Sequence, residues 1–257
     1  MAIKVKIYGA GSIGNHLSQA SRRMGWEVTV VDRNPDALKR MKEEIYPKRY
    51  GAWDEAIKLV TLDKEPKGGF DVICIGTPPE VHFKIATKVL REEAPRVLQI
   101  EKPLGAPLVG EGLKDYKEFL KAAKKARKTA ILVGHEYVLA ENVLKARDFI
   151  ARPELGKVEL LEANFRENWS GIMSAHPWLK GPHDTYLGHW RKGGGASGEH
   201  SHAIHFWQFF ADALGVVTIK EVSAMMDIVV DKKNKAEYDR IAAMHVRTNK
   251  KFQGRII

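Results

Sequence analysis

Strand-like and helix-like segments alternate through the first half of the chain, and this alternation restricts the fold more than any other feature. Strand-like runs lie at 3–8, 27–31, 71–76, 96–100 and 130–134, with helix-like segments at 13–24, from Pro35, from Pro79 to about Leu90, and at 114–128. Several strands are apolar on both faces, as a sheet covered by helices on both sides requires. The pattern predicts an α/β domain over residues 1–136, built on a doubly wound parallel sheet. The stretch 52–66 is ambiguous between a helix and a strand.

After about residue 136 the pattern changes. A helix-like segment at about 140–152 is followed by a strand-like run at 158–167, a polar and aromatic loop at 168–195, and a helix-like segment at 199–214. Two long strand candidates, 219–230 and 238–248, are joined by the turn-like DKKNK. A short connection between consecutive strands indicates antiparallel pairing. We therefore predict a second domain over 137–257, an α+β unit with a mostly antiparallel sheet, for substrate binding and oligomerisation.

The 257 residues carry a net charge of +10, which admits a nucleic acid, an anionic substrate or a lysine-rich surface. The most basic stretch, 114–128, has Tyr116, Leu120 and Ala123 at helical spacing, and this predicts a buried face with lysines facing water. Asp115 and Glu118 interrupt the positive charge, and no nucleic-acid motif accompanies it. We therefore expect no nucleic-acid partner.

No apolar run approaches the roughly 18 residues of a membrane helix, and the N-terminus lacks a signal-peptide core. The single cysteine, Cys74, excludes an intrachain disulfide and the common cysteine-based zinc sites. These observations predict a globular cytoplasmic protein without a membrane partner.

A glycine motif, Gly9-Ala-Gly11-Ser12-Ile13-Gly14, follows the first strand and opens the first helix. In a dinucleotide fingerprint the first glycine permits a tight turn, the second lets the backbone approach a pyrophosphate, and the third allows close packing of helix on strand. The free N–H groups of the helix then face the phosphates. The alternative is a glycine turn without a ligand.

Asp32 ends the second predicted strand, 18 residues after Gly14. A carboxylate there accepts hydrogen bonds from the adenosine ribose hydroxyls and repels a 2′-phosphate, unless it merely caps the next helix. The neighbouring Arg33 could bind that phosphate or stack on adenine. The balance favours NAD as the cofactor, with NADP as the alternative.

Three further segments carry a resemblance: GTPPEVHFKIA at 76–86, EKPLG at 101–105, and a GGG run followed by histidines at 193–205. Together with the glycine motif, their order resembles the glucose–fructose oxidoreductase/inositol dehydrogenase family (Gfo/Idh/MocA) over essentially the whole chain. The resemblance implies an NAD(P)-dependent dehydrogenase that acts on a CH–OH group, a secondary alcohol of a sugar, polyol or nucleotide sugar, and the positive charge favours an anionic substrate.

The resemblance also assigns residues near the cofactor. The lysine of EKP, here Lys102, would reach the nicotinamide and the substrate, with Glu101 beside it. Thr77 and Pro78 would lie along the cofactor near the switch point of the sheet. His82 is predicted to pack beside this nucleotide loop rather than to act as a catalyst.

The family's catalytic histidine corresponds to His202. Gly198 stands where the family has an aspartate, and Glu199 could replace it because residues three apart share a helical face. His205 and Val138 stand where the family often has an aspartate and an arginine. We predict that Lys102 stabilises alkoxide charge, His202 transfers the proton and Glu199 orients the imidazole.

A metal site is the alternative interpretation of the histidine cluster. On one helix His202 and His205 share a face, whereas His200 and His202 point to different sides, so the pattern favours no metal. Four aromatic side chains of the long loop could stack on a sugar or form the core of the loop, and the sequence does not decide between these roles: Trp169, Trp178, Tyr186 and Trp190.

Chains of this family usually continue further than KKFQGRII, which ends this sequence and is itself strand-like. We therefore expect a second sheet with fewer strands than is usual in the family, an exposed apolar face or edge, and a homo-oligomer formed through it. The alternative function is a non-catalytic nucleotide sensor or scaffold, since fold alone does not fix function.

Overall fold

The computed structural model describes residues 2–106, 111–176 and 179–257 of the chain. The chain forms two compact units, Met1–Gly134 and His135–Ile257.

The first unit contains a six-stranded sheet in the order β3-β2-β1-β4-β5-β6, and every pair of neighbours is parallel. The strands are β1 Lys4–Tyr8, β2 Glu27–Asp32, β3 Lys58–Thr61, β4 Val72–Ile75, β5 Val97–Glu101 and β6 Ala130–Gly134. The strand order reverses between β1 and β4, and ligands of doubly wound sheets bind at the carboxyl ends of strands beside such a reversal. The predicted α/β fold is confirmed. Of the ambiguous stretch 52–66, only β3 is regular strand.

The helices of this unit are α1 Ser12–Arg23, α2 Pro35–Arg40, α3 Tyr46–Tyr50, α4 His82–Glu92 and α5 Glu111–Lys125. A π-helical turn, Met41–Ile45, joins α2 to α3. The start of α2 is fixed locally: Pro35 occupies its first position and the Asn34 side chain accepts a hydrogen bond from the Asp36 N–H at 2.9 Å.

Apolar side chains cover both faces of the sheet. One cluster includes Val5, Val30 and Met41, and the other includes Ile73 and Leu98. The central strands β1, β2 and β4 are buried on both faces, which explains their continuous apolar runs, whereas Leu132 of the edge strand β6 is 53% exposed.

Helix α5 packs on the core through a face that includes Tyr116 and Ala123, two of the three residues predicted to be buried. Phe119 and Ala122 are buried, whereas Leu120, which the sequence pattern placed inside, is 37% exposed. The prediction for Leu120 was wrong because the buried face is centred on Phe119 and Ala122, and Leu120 lies at its margin. The described lysines of α5 face solvent, as predicted.

The second unit contains a four-stranded sheet in the order β7-β10-β9-β8. The strands are β7 Leu160–Ala163, β8 Ile219–Asp231, β9 Ala236–Thr248 and β10 Gln253–Ile256. β8 and β9 form the predicted antiparallel hairpin, β10 pairs antiparallel with β9, and β10 runs parallel to β7. The mostly antiparallel sheet is therefore confirmed.

The helices of this unit are α6 Glu141–Ile150, α7 Trp169–Ala175, α8 Ala196–Glu199 and α9 Ser201–Ala213. Helix α7 lies in the stretch predicted as loop, and it begins where the Asn168 side chain accepts a hydrogen bond from the Ser170 N–H at 3.0 Å. The buried Trp207 anchors α9 on the sheet, and its indole N–H donates to the Leu161 carbonyl at 2.9 Å. In the described part of the chain, no helix is long and apolar enough to span a membrane.

Candidate functional site

Each glycine of the motif has a distinct geometry. Gly9 has φ +102°, and a Cβ on it would lie 2.8 Å from the Gly76 carbonyl oxygen. A Cβ on Gly14 would lie 1.9 Å from the Gly9 carbonyl oxygen, whereas at Gly11 nothing lies within 4 Å. In sequence order the loop therefore has a turn that favours glycine, an open approach and a close helix–strand contact, as a dinucleotide requires. This cradle fits the diphosphate of a nicotinamide dinucleotide.

The carboxylate of Asp32 lies beside this cradle and joins the glycine loop to the segment that follows β2. Its Oδ2 accepts a hydrogen bond from the Ala10 N–H and its Oδ1 accepts one from the Asn34 N–H, both at 2.8 Å. A carboxylate has about four acceptor positions, so these two bonds leave capacity for ribose hydroxyls. The adjacent Arg33 is exposed.

His82 joins the loops that follow β4 and β5. Its side chain is fully buried, with Nε2 2.7 Å from the Thr77 carbonyl oxygen and Nδ1 3.1 Å from the Pro103 carbonyl oxygen. Burial lowers the pKa of His82 although the hydrogen bonds to backbone carbonyls oppose this shift. We propose that His82 supports cofactor binding indirectly, by holding Thr77 and the EKP segment in place.

The EKP segment lies at the carboxyl end of β5. Glu101 ends the strand, and its Oε2 would lie 2.6 Å from a Cβ on Gly134, so the glycine that ends β6 makes room for this side chain. Lys102 follows, half-buried, and is joined to Pro103 by a cis peptide bond. Thr77 and Pro78 similarly follow β4 by two and three residues. The segments that the resemblance assigned to the cofactor thus lie at one edge of the sheet.

In the second unit, the glycines before His202 are required by close backbone contacts. A Cβ on Gly194 would lie 2.0 Å from the Tyr186 carbonyl oxygen, and one on Gly198 would lie 2.1 Å from the Gly193 carbonyl oxygen. The Gly193 contact excludes any larger residue at 198 unless the backbone moves. The conformation of this loop therefore excludes, at position 198, the aspartate that the family has there.

The imidazole of His202 lies in the first turn of α9 among aromatic rings. It is 7% exposed, and its ring centroid lies 4.5 Å from that of Tyr137 in an edge-on arrangement, with His135 at 5.5 Å and Phe165 at 5.6 Å. Helix α9 and the segment after β6 thus fix the ring. No motif in the sequence predicts that His135 joins this cluster of rings.

His205 stacks on His135 with ring centroids 4.4 Å apart and an interplanar angle of 10°. Burial lowers the pKa of His205, which favours the neutral form beside a second imidazole. Among the described residues no group of three or more His, Cys, Asp or Glu side chains is arranged to hold a metal ion.

Glu199 and His202 lie on different helices. Helix α8 ends at Glu199, His200 has φ −96° and ψ +29°, and α9 begins at Ser201. The predicted single helix over 199–214 was therefore wrong at its start. Glu199 accepts a hydrogen bond from the Tyr186 hydroxyl at 2.6 Å.

A cavity of about 610 Å³ lies within the second unit, and its lining includes Phe165, Trp169, His200, Tyr238 and Arg240. Trp169 donates its indole N–H to Nε2 of His200 at 3.0 Å and stacks on Tyr238 with centroids 5.4 Å apart. His200 lines this cavity, whereas His202 packs on Tyr137. The two imidazole rings therefore have different surroundings.

The other loop aromatics have separate positions. Tyr186 holds Glu199, the Arg191 guanidinium lies over the Trp190 ring at 4.2 Å, and Trp178 lies outside the described residues. Of the described aromatic side chains of this loop, Trp169 lines the cavity.

A doubly wound parallel sheet with a glycine cradle at α1, followed by a unit built on a mostly antiparallel sheet, is an architecture typical of dinucleotide-dependent oxidoreductases. Residues 3–135, about half of the chain, match the model of the GFO_IDH_MocA family, described as the oxidoreductase family with an NAD-binding Rossmann fold. The chain belongs to this family, as its motifs predicted, and its first unit is an NAD-binding domain.

Solved structures share the whole fold. The WlbA dehydrogenase from Bordetella pertussis, in complex with NADH and UDP-GlcNAcA, is 20% identical, with a TM-score of 0.72 over 100% of this chain and 70% of that one. Myo-inositol 2-dehydrogenase from Lactobacillus plantarum is 15% identical, with a TM-score of 0.70 over 100% and 69%. Biliverdin reductase from Synechocystis sp. PCC 6803, with biliverdin and NADP+, is 15% identical, with a TM-score of 0.63 over 99% and 71%. A comparison with curated protein sequences gives no significant match.

Proposed function

We propose that this protein transfers a hydride between NAD and a secondary alcohol of a sugar, polyol or nucleotide sugar. The observation that carries the proposal is His202, held nearly buried in the first turn of α9 between aromatic rings. A histidine in such a setting is suited to accept the hydroxyl proton of an alcohol. The glycine cradle of the first unit supplies the cofactor site that this chemistry needs.

The nicotinamide, when bound, supplies the hydride chemistry. The chain must orient the substrate, move the hydroxyl proton and stabilise alkoxide charge. We assign proton transfer to His202 and charge stabilisation to Lys102, whose ammonium group stabilises an alkoxide better when partly desolvated. Lys102 is half-buried at the carboxyl end of β5, where doubly wound sheets bind their ligands. We assign to Glu199, whose carboxylate accepts a hydrogen bond from the Tyr186 hydroxyl, the role of stabilising the segment that contains His202.

The cavity of the second unit is lined by His200 and not by His202, so it would hold a part of the substrate away from the reacting carbon, and its lining suits an apolar face and a negative group. Its walls include Ile204, Ala242 and Met244, and Trp169 offers a ring for stacking on a sugar. Its charged lining residues are Arg166, Glu167 and Arg240, and Arg240 is ion-paired with Asp227. The guanidinium of Arg166 favours a sugar acid or nucleotide sugar over a neutral polyol, because guanidinium groups recognise carboxylates and phosphates.

The proposal is tested by incubating the protein with NAD+ and a panel of inositols, neutral sugars, sugar acids and nucleotide sugars, with NADH formation as the readout. We expect turnover with an anionic sugar derivative and a large loss in His202→Ala. The exposed His245 provides a matched control, His245→Ala, which should retain wild-type turnover. NAD+ binding without turnover on any member of the panel would favour the non-catalytic sensor instead.

A further inference from the structure

Arg49 lies beside the first turn of α1, although it is far from the glycine motif in the sequence. It belongs to α3 and is half-buried, and its Nη1 donates a hydrogen bond to the Ser12 carbonyl oxygen at 3.1 Å. Ser12 is the first residue of α1 and follows Gly11, where the cradle is open. The guanidinium is therefore a neighbour of the free N–H groups that face a diphosphate.

Two further side chains fix the position of this guanidinium. Nη1 of Arg49 lies 3.1 Å from Nε2 of His16, and Nδ1 of His16 lies within hydrogen-bond distance of the Tyr50 hydroxyl. Because a guanidinium only donates, Nε2 of His16 must be the acceptor, and Nδ1 then carries the proton that is donated to Tyr50. Arg49 is thus held in one orientation before any ligand arrives.

In the part of the chain that the structure describes, no carboxylate balances the charge of Arg49. Among the described residues no carboxylate forms an ion pair with it, whereas Arg22, at the other end of α1, pairs with Asp54 at 2.7 Å. The first turn of α1 also contains no acidic residue, and no side chain caps it. A cation beside the positive end of a helix is unfavourable on its own. This arrangement becomes favourable once an anion lies at the N-terminus of α1.

We propose that Arg49 binds the diphosphate of the nicotinamide dinucleotide and so completes the cradle formed by the glycine motif. Only Nη1 takes part in the hydrogen bonds that the described residues make with Arg49, and a guanidinium has five N–H donors. The remaining donors serve phosphate oxygens. Because the diphosphate is common to NAD and NADP, Arg49 raises the affinity for both cofactors, whereas the Asp32 side of the site discriminates between them.

The test measures dissociation constants of NAD+, NADP+, ADP and adenosine by calorimetry for the wild type, Arg49→Ala and Arg49→Gln. Loss of one charge-assisted contact should weaken NAD+, NADP+ and ADP by about 10- to 100-fold, while adenosine binding is unchanged. Arg49→Lys should recover part of the affinity. The exposed neighbour Lys48 supplies the control, because Lys48→Ala removes the same charge from the same helix and should leave all four constants unchanged.

Other outcomes contradict the proposal. A loss confined to NADP+ would show that Arg49 recognises the ribose 2′-phosphate. An equal loss for adenosine, with a lower melting temperature, would show a structural role through the Ser12 contact. Arg49→Gln retains amide donors for that contact, so it keeps the test valid if Arg49→Ala does not fold.

Discussion

The carboxylate of Asp239 accepts a hydrogen bond from the backbone N–H of Ser197 at 2.7 Å, which joins β9 to the segment that leads to His202. Asp239 is 1% exposed, and its Oδ1 would lie 1.8 Å from a Cβ on Gly195. A buried carboxylate is costly unless it is hydrogen-bonded, and the Ser197 N–H supplies such a bond here. The bond links residues 42 positions apart.

Replacement of Asp239 should destabilise the second unit. Asp239→Ala leaves the Ser197 N–H without its acceptor and should lower the free energy of unfolding by about 1–3 kcal/mol, whereas Asp239→Asn keeps an acceptor oxygen and should lose less. Urea denaturation of both variants measures the difference. Asp227→Ala is the control, since Asp227 forms an exposed ion pair with Arg240 and such pairs contribute at most about 1 kcal/mol. Equal stability of the Asp239→Ala and Asp227→Ala variants would show that the buried bond is unimportant.

Asp32 should make the protein prefer NAD. Its carboxylate, held by the Ala10 and Asn34 N–H groups, has capacity for ribose hydroxyls and repels a 2′-phosphate. Calorimetric titration should give tighter binding of NAD+ than of NADP+, and Asp32→Ser should shift the ratio toward NADP+. Wild-type binding of NADP+ tenfold tighter than NAD+ would instead assign the dominant role to Arg33.

A buried ion cluster should make the first unit sensitive to acid. Lys6 is fully buried and its Nζ lies 2.9 Å from Glu65 and 2.6 Å from Glu93. Burial raises the pKa of Glu65, but hydrogen bonds from Lys88, Tyr8 and Lys6 outweigh it and lower the pKa to about 2. A carboxyl group with a lowered pKa stabilises the fold above its ordinary pKa of 4.5, and this contribution is lost as the pH falls from 4.5 toward 2.

The corresponding variant is Glu65→Gln. It should lower the free energy of unfolding at pH 7 by about a few kcal/mol, because a buried cation loses one of its partners. Below pH 4.5 its free energy of unfolding should decline less steeply than that of the wild type. Urea denaturation between pH 7 and pH 3 provides the measurement, with the exposed Glu43→Gln as control. The same decline in Glu65→Gln and wild type would assign the acid sensitivity to other groups.

Local signals made much of the fold and the cofactor site predictable. The three glycines of the motif, Asp32 and the EKP segment are each specified by a few consecutive residues and by their order along alternating elements. Five of the six strands of the parallel sheet are predictable from their apolar runs, whereas β3 lies in the ambiguous stretch 52–66. The end of the chain was also identified as a strand, but its position between β7 and β9 follows only from tertiary pairing.

The predictions failed or fell short where distant residues decide the outcome. Arg49, Asp239 and His135 act through partners that the sequence does not place beside them. The break at His200 arises in a segment whose glycines are packed against backbone carbonyls, and a helical pattern does not reveal such contacts. The exposure of Leu120 was missed because an amphipathic pattern shows which face of a helix is apolar but not where the buried area ends.

The sheet of the second unit should form a homo-oligomer interface. β8 lies at the edge of the sheet and exposes apolar side chains, with Met225 75%, Val230 60% and Val222 51% exposed. Long apolar edge strands and contiguous apolar patches usually mark interaction surfaces. Light scattering should show a dimer or larger species that Met225→Glu weakens, whereas a wild-type monomer at high concentration would contradict this prediction.

The central claim is that Lys102 and His202 carry out the chemistry of an NAD-dependent dehydrogenase. The most direct measurement is the turnover of Lys102→Ala and His202→Ala on the substrate found in the panel, together with their NAD+ dissociation constants. Lys125→Ala, at the exposed end of α5, and His245→Ala serve as matched controls. We predict that each of the two site variants loses about 10²- to 10⁴-fold in turnover while its affinity for NAD+ stays close to that of the wild type. Near-normal turnover in either variant would contradict the role assigned to that residue.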